Sequence, residues 1–428
     1  TTMRSRPYPT APVAALLMAM VTFTTFFSAC STAADSGFWP RFHGPKGDNI
    51  STETGLLKKW PQDGPELLWT AKGIGKGFSG VTIVDGFIYT NGEIGEKNVI
   101  TALDMDGNIR WQVENGGAWT GSYPGSRGTP VIDGDRLYHE SPLGGLLCLN
   151  AKTGKEIWGT NILGHFGSKT AAWACAESPL VDGDHLIVCP GGPETAVVAL
   201  DKMTGKTVWK SPSVEGKLVG YVSPAIIEQD GLRILLTMMH MSLVGVNADT
   251  GDVLFSYESP TKYPTSATTP IYHDGKIFIS TGYGTTGSTL LKLDVDGKQA
   301  KVTKVWNSRE LDNHHGGVIL YKGHLYGAAH KFNRSKWICL DWDTGEMKYA
   351  EKGVGKGSST MAEGMLYTLS EKKKAGLVKA APDGHELVGE FKLPKGGKGP
   401  SWAHPVVCGG RLYIRHGDFL YAYDVRER

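Results

Sequence analysis

The sequence predicts an all-β fold: an eight-bladed β-propeller of four-stranded antiparallel blades, its ring closed by an N-terminal strand. Three observations lead there. One hairpin unit recurs along the chain. A second strand-turn-strand unit follows most copies of it. One unmatched strand stands at each end of the array.

The hairpin unit is an apolar strand, an Asp-Gly-type turn and a second strand that ends in an aromatic or apolar residue. Copies read TPVIDGDRLY (129–138), SPLVDGDHLI (178–187), TPIYHDGKIF (269–278), GGVILYKGHLY (316–326) and HPVVCGGRLY (404–413). The turn glycines are Gly86, Gly134, Gly183, Gly231, Gly275, Gly323, Gly364 and Gly410, spaced 41 to 49 residues apart. Asp-Gly between two alternating apolar runs signals a tight hairpin, because such turns need positive φ.

The second unit reads ALDMDGNIRW (102–111), CLNAKTGKEIW (148–158), ALDKMTGKTVW (199–209), GVNADTGDVLF (245–255) and CLDWDTGEMKY (339–349). Here a third strand meets a Thr-Gly or Asp-Gly turn, and a fourth ends in an aromatic. Four antiparallel strands per forty-odd residues describe a propeller blade. A blade cannot bury both faces alone, so it stacks on its neighbours around an axis. The eighth unit stops at LYAYDV (420–425), without a fourth strand, whereas PELLWTAKG (65–73) is a fourth strand without a blade, with Trp69 in the aromatic position. Pairing the two completes blade eight and removes both open edges.

This register assigns packing roles to several conspicuous residues. Cys148 and Cys339 share the third-strand slot of Ala102, Ala199 and Gly245, a small core position. Trp69, Trp111, Trp158, Trp209 and Trp306 mark blade-to-blade contacts, and Lys372-Lys373-Lys374 falls in a solvated turn of blade seven.

Arg4 and Arg6 precede an apolar run from Ala11 to Phe27, followed by Phe27-Ser28-Ala29-Cys30. A basic head, a short apolar stretch and small residues before a cut describe an export signal. The run is short for a membrane span. Cysteine after Ser-Ala resembles a bacterial lipobox, which makes Cys30 the expected lipid-attachment residue. The expected organisation is residues 1–29 as a lipoprotein-type signal peptide, 30–64 as tether and strap, and 65–428 as propeller. Five further cysteines follow, Cys148, Cys175, Cys189, Cys339 and Cys408, with no CxxC among them. Their odd number forbids a complete disulfide framework, although Cys175 and Cys189 are placed to pair across one hairpin.

Charge excludes one class of partner. Lys+Arg total 45 against 43 Asp+Glu, and losing Arg4 and Arg6 with the export segment leaves 43 of each. A neutral surface gives no electrostatic case for nucleic acid.

The motif Ala-x-Asp-x-x-Thr-Gly-x-x-x-Trp, intact at 199–209, resembles the docking motif of pyrroloquinoline quinone (PQQ) propellers. That superfamily includes quinoprotein alcohol dehydrogenases and the lipoprotein subunit of the bacterial outer-membrane barrel-assembly machinery. WPRFHGPKGDNIS (39–51), NHHGGVILYKGHLYG (313–327) and WAHPVVCGGRLYIR (402–415) are similar to the PQQ-binding-like repeat lipoproteins of planctomycetes. The resemblance covers about residues 38–428 and specifies fold more sharply than activity.

For a quinoprotein dehydrogenase the resemblance implies a ring of adjacent cysteines under the quinone, calcium held by Glu, Asn and Asp, and a base near that Asp. This chain has no adjacent cysteines. Glu177 is a possible calcium-side carboxylate, but no matching Asp lies at a later strand start. No cofactor is therefore expected, with PQQ and calcium as the alternative.

First strands are innermost in a propeller, so the residues leading into them converge on the axis. Arg127, Glu177, Tyr221, His314, His315, Trp402 and His404 are the expected funnel residues, with Tyr123 and Trp173 nearby. Arg127 and Glu177 lead into consecutive blades and are expected to pair as an inter-blade clasp. His314 and His315 are adjacent in an extended segment. Their side chains should face opposite ways, so no metal is expected. The function these readings imply is an exported, lipid-anchored binding or scaffolding module of the cell envelope. It would sit in the periplasm or at the cell surface, in the outer membrane by resemblance, and engage an envelope protein or extracellular ligand. Catalysis is not expected; the alternative is a PQQ-dependent or quinone-linked oxidoreductase using the funnel.

Overall fold

In a computed structural model, which describes residues 1–3, 37–283 and 286–428, all eight turn glycines take positive φ, from 56° at Gly183 to 78° at Gly231. The expected export segment from Arg4 onward and Cys30, the expected lipid-attachment residue, lie outside the described residues. Asp85, Asp230, Asp274, Lys322 and Glu363, which precede five of those glycines, also have positive φ, as two-residue hairpin turns of matching twist require.

Eight sheets result, each built on four antiparallel strands. Blades 1 to 7 span 82–117, 131–161, 180–210, 225–258, 271–308, 313–351 and 357–392. Blade 8 comprises Val406–Cys408, Arg411–His416 and Phe419–Asp424, and its fourth strand is Glu66–Lys72 from the other end of the chain. Leu67 stands opposite Tyr423 and Trp69 opposite Ala422 across that seam. The eight-bladed ring is thus closed by the N-terminal strand.

Tryptophan-on-glycine contacts lock neighbouring blades together. The rings of Trp69, Trp111, Trp158, Trp209 and Trp306 lie on Gly107, Gly154, Gly205, Gly251 and Gly345 of the following blade. A Cβ on Gly107 would stand 2.8 Å from the Trp69 ring, so the turn needs glycine for room as well as for its φ of 83°. Four of the indoles also donate to a carbonyl in the next blade: Trp69 to Met105 O at 2.8 Å, Trp111 to Ala151 O at 3.1 Å, Trp158 to Lys202 O at 3.1 Å and Trp306 to Trp342 O at 2.9 Å.

Arg415 adds a polar lock at the seam between blades 8 and 1. Its guanidinium is buried and donates to Thr90 Oγ1 at 2.7 Å, Gly75 O at 2.9 Å and Gly417 O at 3.3 Å, and also to Asn91 O. Burial lowers its pKa to about 9, with Asp418 opposing the shift, so it remains charged at neutral pH.

Residues 37–64 run against several blades. Trp39 pairs with Ile83 of blade 1, Pro40 O accepts the N–H of Ile132 in blade 2, and Ile50–Ser51 adds a parallel fifth strand beside Met361 and Ala362 in blade 7. Trp60 is buried against Phe391 and Tyr367 of the same blade. Among the described residues no helix is long and apolar enough to cross a membrane.

Cys148 and Cys339 are buried in blade cores. The Cys175–Cys189 disulfide is not formed: the five described cysteines are all free and buried. Each of these two thiols sits beside a carboxyl group instead, Cys175 at Glu140 and Cys189 at Glu177.

Candidate functional site: an aromatic cavity on the propeller axis

Because successive strands alternate in direction, the segment leading into each first strand and the turn joining second to third strand share one end of the propeller. Together they enclose a cavity of about 750 Å³. Arg127, Tyr221, His314, His315, Trp402 and His404 all line it. Glu177 does not. Its neighbours Ala176 and Ser178 face the cavity, so alternation along an extended segment turns Glu177 into the wall. There Glu177 Oε1 accepts the Cys189 N–H at 2.9 Å.

The expected Arg127–Glu177 clasp is therefore overturned. Arg127 folds back on its own connector, donating to Gly125 O at 2.7 Å and Tyr123 O at 2.8 Å, and lies over the Phe78 ring. Burial lowers its pKa to about 10, with Glu93 and Tyr221 opposing, and it stays cationic. The buried arginine that does join two blades is Arg415.

His314 and His315 do not face opposite ways. Asn313 pairs with Ala329, but the next pair is Val318 with Gly327, so the four residues between form a wide bulge against Ala328. Asn313 Nδ2 closes the bulge by donating to Gly317 O and Ala328 O, both at 3.0 Å, and Gly317 supplies the positive φ of 73° that the bend requires. Both imidazoles consequently lie on one side, 5.1 Å apart, each against Trp402. The premise of the no-metal expectation fails for this local reason.

Glu371 organises this corner. Its Oε1 accepts from His315 Nε2, Lys356 Nζ and Trp402 Nε1, each at 2.9 Å. Burial opposes ionisation of Glu371, but the His315 hydrogen bond and the Lys356 charge outweigh it and hold the carboxyl well below its usual range. Lys356 also reaches His330 Nδ1 at 3.0 Å, and the His330 ring stacks on His314 at 4.6 Å. His404, on the opposite flank, meets the backbone oxygen of His315 at 2.8 Å and His43 Nε2 at 3.1 Å. Burial lowers the pKa of all these histidines, to about 4 for His330 and His404, so they are neutral at pH 7.

The walls are aromatic. Trp402 packs on Phe78 at 4.9 Å and Tyr123 at 4.8 Å. Trp173 meets Tyr221 edge-on at 5.9 Å, and its backbone N–H donates to the Tyr221 hydroxyl at 3.2 Å. Tyr263, Tyr283 and Phe42 complete the lining, together with Lys331. At neutral pH the cavity thus presents the cations Arg127, Lys331 and Lys356 against the single carboxylate Glu371. Such a surface suits a ligand with a flat apolar face and an acidic group.

Sequence reasoning missed Glu371, His330 and Tyr283 because they lie in second-to-third-strand turns, and it missed Lys356 although that residue leads directly into the first strand of blade 7. Glu371 directly precedes the lysine run that reads as a solvated turn. In the structure Lys373 donates to Gly396 O and Lys374 pairs with Glu390 at 2.6 Å, leaving Lys372 exposed. The usable signal was topological: both sets of loops share one end.

Eight four-stranded blades, locked by tryptophan on glycine around an axial cavity, define a PQQ-like β-propeller. Comparison with known proteins agrees. The chain matches the family described as "Outer membrane protein assembly factor BamB" over residues 96–351, more than half its length, and belongs to that family. Among solved structures it resembles BamB from Moraxella catarrhalis, at 14% identity and TM-score 0.59, over 85% of this chain and 98% of that one. It also resembles the quinohemoprotein alcohol dehydrogenase from Comamonas testosteroni, at 14% identity and TM-score 0.64, over 93% and 82%. These likenesses establish the fold. A polyvinylalcohol dehydrogenase from a Pseudomonas species is 33% identical over 105 residues, 22% of this chain and 14% of that protein. One from Sphingopyxis sp. (strain 113P3) is 34% identical over 104 residues, with the same shares. The matched segment therefore spans about a seventh of those relatives' length.

Proposed function

We propose that this protein is an exported, lipid-anchored binding module of the cell envelope, and that the axial cavity holds its ligand. The carrying observation is the cavity itself: about 750 Å³, aromatic walls, three cations and one committed carboxylate. Its ligand class is an extracellular molecule that joins a flat or sugar-like face to an acid group, such as a uronic-acid oligosaccharide or an aromatic carboxylate. Titrating both kinds of molecule into the purified protein, followed by calorimetry, tests this. Trp402→Ala should weaken binding of the active compound by roughly 10- to 100-fold, since a buried aromatic contact commonly contributes 2 kcal/mol or more. A compound that binds both proteins equally would place its site elsewhere and end the reading. The envelope setting draws support from the BamB family and from Phe27-Ser28-Ala29-Cys30. Cys30→Ser should move the protein from the membrane fraction to the soluble one, because serine cannot take a thioether-linked lipid. An unmodified mature peptide beginning upstream of Cys30, seen by mass spectrometry, would exclude the anchor.

The second reading, a PQQ-linked oxidoreductase, rests on the dehydrogenase relatives. PQQ is planar and tricarboxylate, and Trp402 with Arg127, Lys331 and Lys356 fits such a ring. Calcium does not fit equally well. Glu177 is turned into the wall, where burial raises its pKa to about 8, and the Oε1 of Glu371 already takes three donors. Mixing the protein with PQQ, with and without calcium, separates the readings: stoichiometric, calcium-dependent binding would favour the oxidoreductase.

A further inference from the structure

We propose that His314, His315 and Glu371 form a binding site for a divalent transition-metal ion of the zinc or copper class. Their ligand atoms all lie within 4.8 Å of one another. Atoms bound to one such ion at about 2.1 Å stand roughly 3–3.5 Å apart, so side-chain rotation of a few tenths of an ångström to an ångström closes the set. Two imidazoles and one carboxylate, with coordination positions to spare, are a recurrent donor set for these ions.

A second observation is independent of that spacing. His314 Nδ1 and His315 Nδ1 are both buried without a hydrogen-bond partner, and because His315 Nε2 donates to Glu371 the lone pair of His315 is on Nδ1. Buried polar atoms are nearly always satisfied, and two orphaned imidazole nitrogens on adjacent residues leave room for an electrophile between them. The carboxylate is similarly half used. All three of its donors converge on Oε1, and no described residue donates to Glu371 Oε2. The bulge at 314–317 is the device that brings the two histidines to one side, at the cost of ladder hydrogen bonds. His330, stacked on His314, is the next donor in reach.

Lys356 is the competing cation, since its ammonium lies 2.9 Å from Glu371 Oε1 and 3.0 Å from His330 Nδ1. Metal entry requires that ammonium to swing towards the cavity, where it would face an anionic ligand. The coordination positions left open also face the cavity, so an acid group on the bound molecule would complete the shell. This last step rests on the ligand-binding reading above; the metal site itself does not.

The test uses the mature, metal-stripped chain and the metals alone. Zn²⁺ is titrated calorimetrically, Co²⁺ by visible absorption, and Cu²⁺ by electron paramagnetic resonance for nitrogen coupling. One equivalent is expected to bind, with coupling to two or more imidazole nitrogens. His315→Ala combined with Glu371→Gln should weaken binding by about 100-fold or more, and thermal melting would verify that the variant is folded. His315→Ala alone serves if the double variant does not fold. Absence of saturable binding, or equal affinity in wild type and variant, would overturn the proposal. So would binding seen in Lys356→Met but not in wild type, which would make the ammonium the resident cation.

Discussion

A chain that begins at Gly73 is expected to melt at least ~10 °C below the chain that retains residues 37–72, with a broader transition. The shortened chain loses the Glu66–Lys72 strand and so exposes the Phe419–Asp424 edge. It also loses Trp69 from Gly107, Trp39 from Ile83, the parallel strand on blade 7, and the buried Trp60. Removing one large buried aromatic typically costs about 3–5 kcal/mol, and here several contacts go together. Trp69→Ala isolates one part of this. Its ring is half-buried, so a loss of about 2 kcal/mol is expected. Arg415→Met isolates the polar lock and should cost about 3 kcal/mol, because the seam carbonyls and Thr90 lose their shared donor. Scanning calorimetry of the three variants measures all of this. Equal melting of the Gly73 chain and its parent would mean that the ring closes by contacts other than these.

The architecture was legible because it is written in short-range chemistry. An Asp-Gly pair demands a hairpin, and a Thr-Gly turn with tryptophan four residues on demands a neighbour that can receive the ring. Both requirements repeat at a fixed interval, so blade number and closure follow by counting. The cavity was half legible. Residues leading into first strands, such as Arg127, Tyr221 and Trp402, line it because position in the blade decides their direction. Alternation then misled twice. It was needed at Glu177, where it turns the carboxyl into the wall, and it failed at His314 and His315, where Gly317 permits a bulge that no periodic pattern announces. Glu371 and Lys356 came from loops whose composition looks merely solvated. Such residues acquire meaning only when loops far apart in sequence meet.

The remaining large effect concerns the wall behind Ala176 and Ser178. Glu140 and Glu177 are both buried, and each leaves its Oε2 without a partner. Burial raises both pKa values, and the nearby Glu177 charge pushes Glu140 higher still; for Glu177 the value reaches about 8 despite the Cys189 hydrogen bonds that oppose it. The folded protein therefore keeps these protons after the unfolded chain, with ordinary carboxyls, has released them. Stability associated with the pair is complete at low pH and is lost as pH rises through neutrality to about 8. The buried histidines act in the other direction. His139, with its pKa lowered to about 3 by burial, and His404, lowered to about 4, stay neutral when folded and lose stability below the ordinary histidine range. Unfolded imidazoles are still half protonated at about pH 6.5, but that contribution is common to wild type and Glu177→Gln and cancels in their difference. The difference is read from about pH 6.5 to 8, below the thiols of Cys175 and Cys189, which burial pushes up. Over that window wild type should lose roughly 2 kcal/mol from Glu177 alone. Glu177→Gln keeps an acceptor for the Cys189 N–H and carries no proton to lose, so its stability should fall less steeply and exceed wild type at pH 8. Denaturant unfolding of both proteins at pH 6.5, 7.25 and 8 measures the slopes. Parallel slopes would show that Glu177 is already ionised at neutral pH, with a counter-charge in the wall that the present geometry lacks.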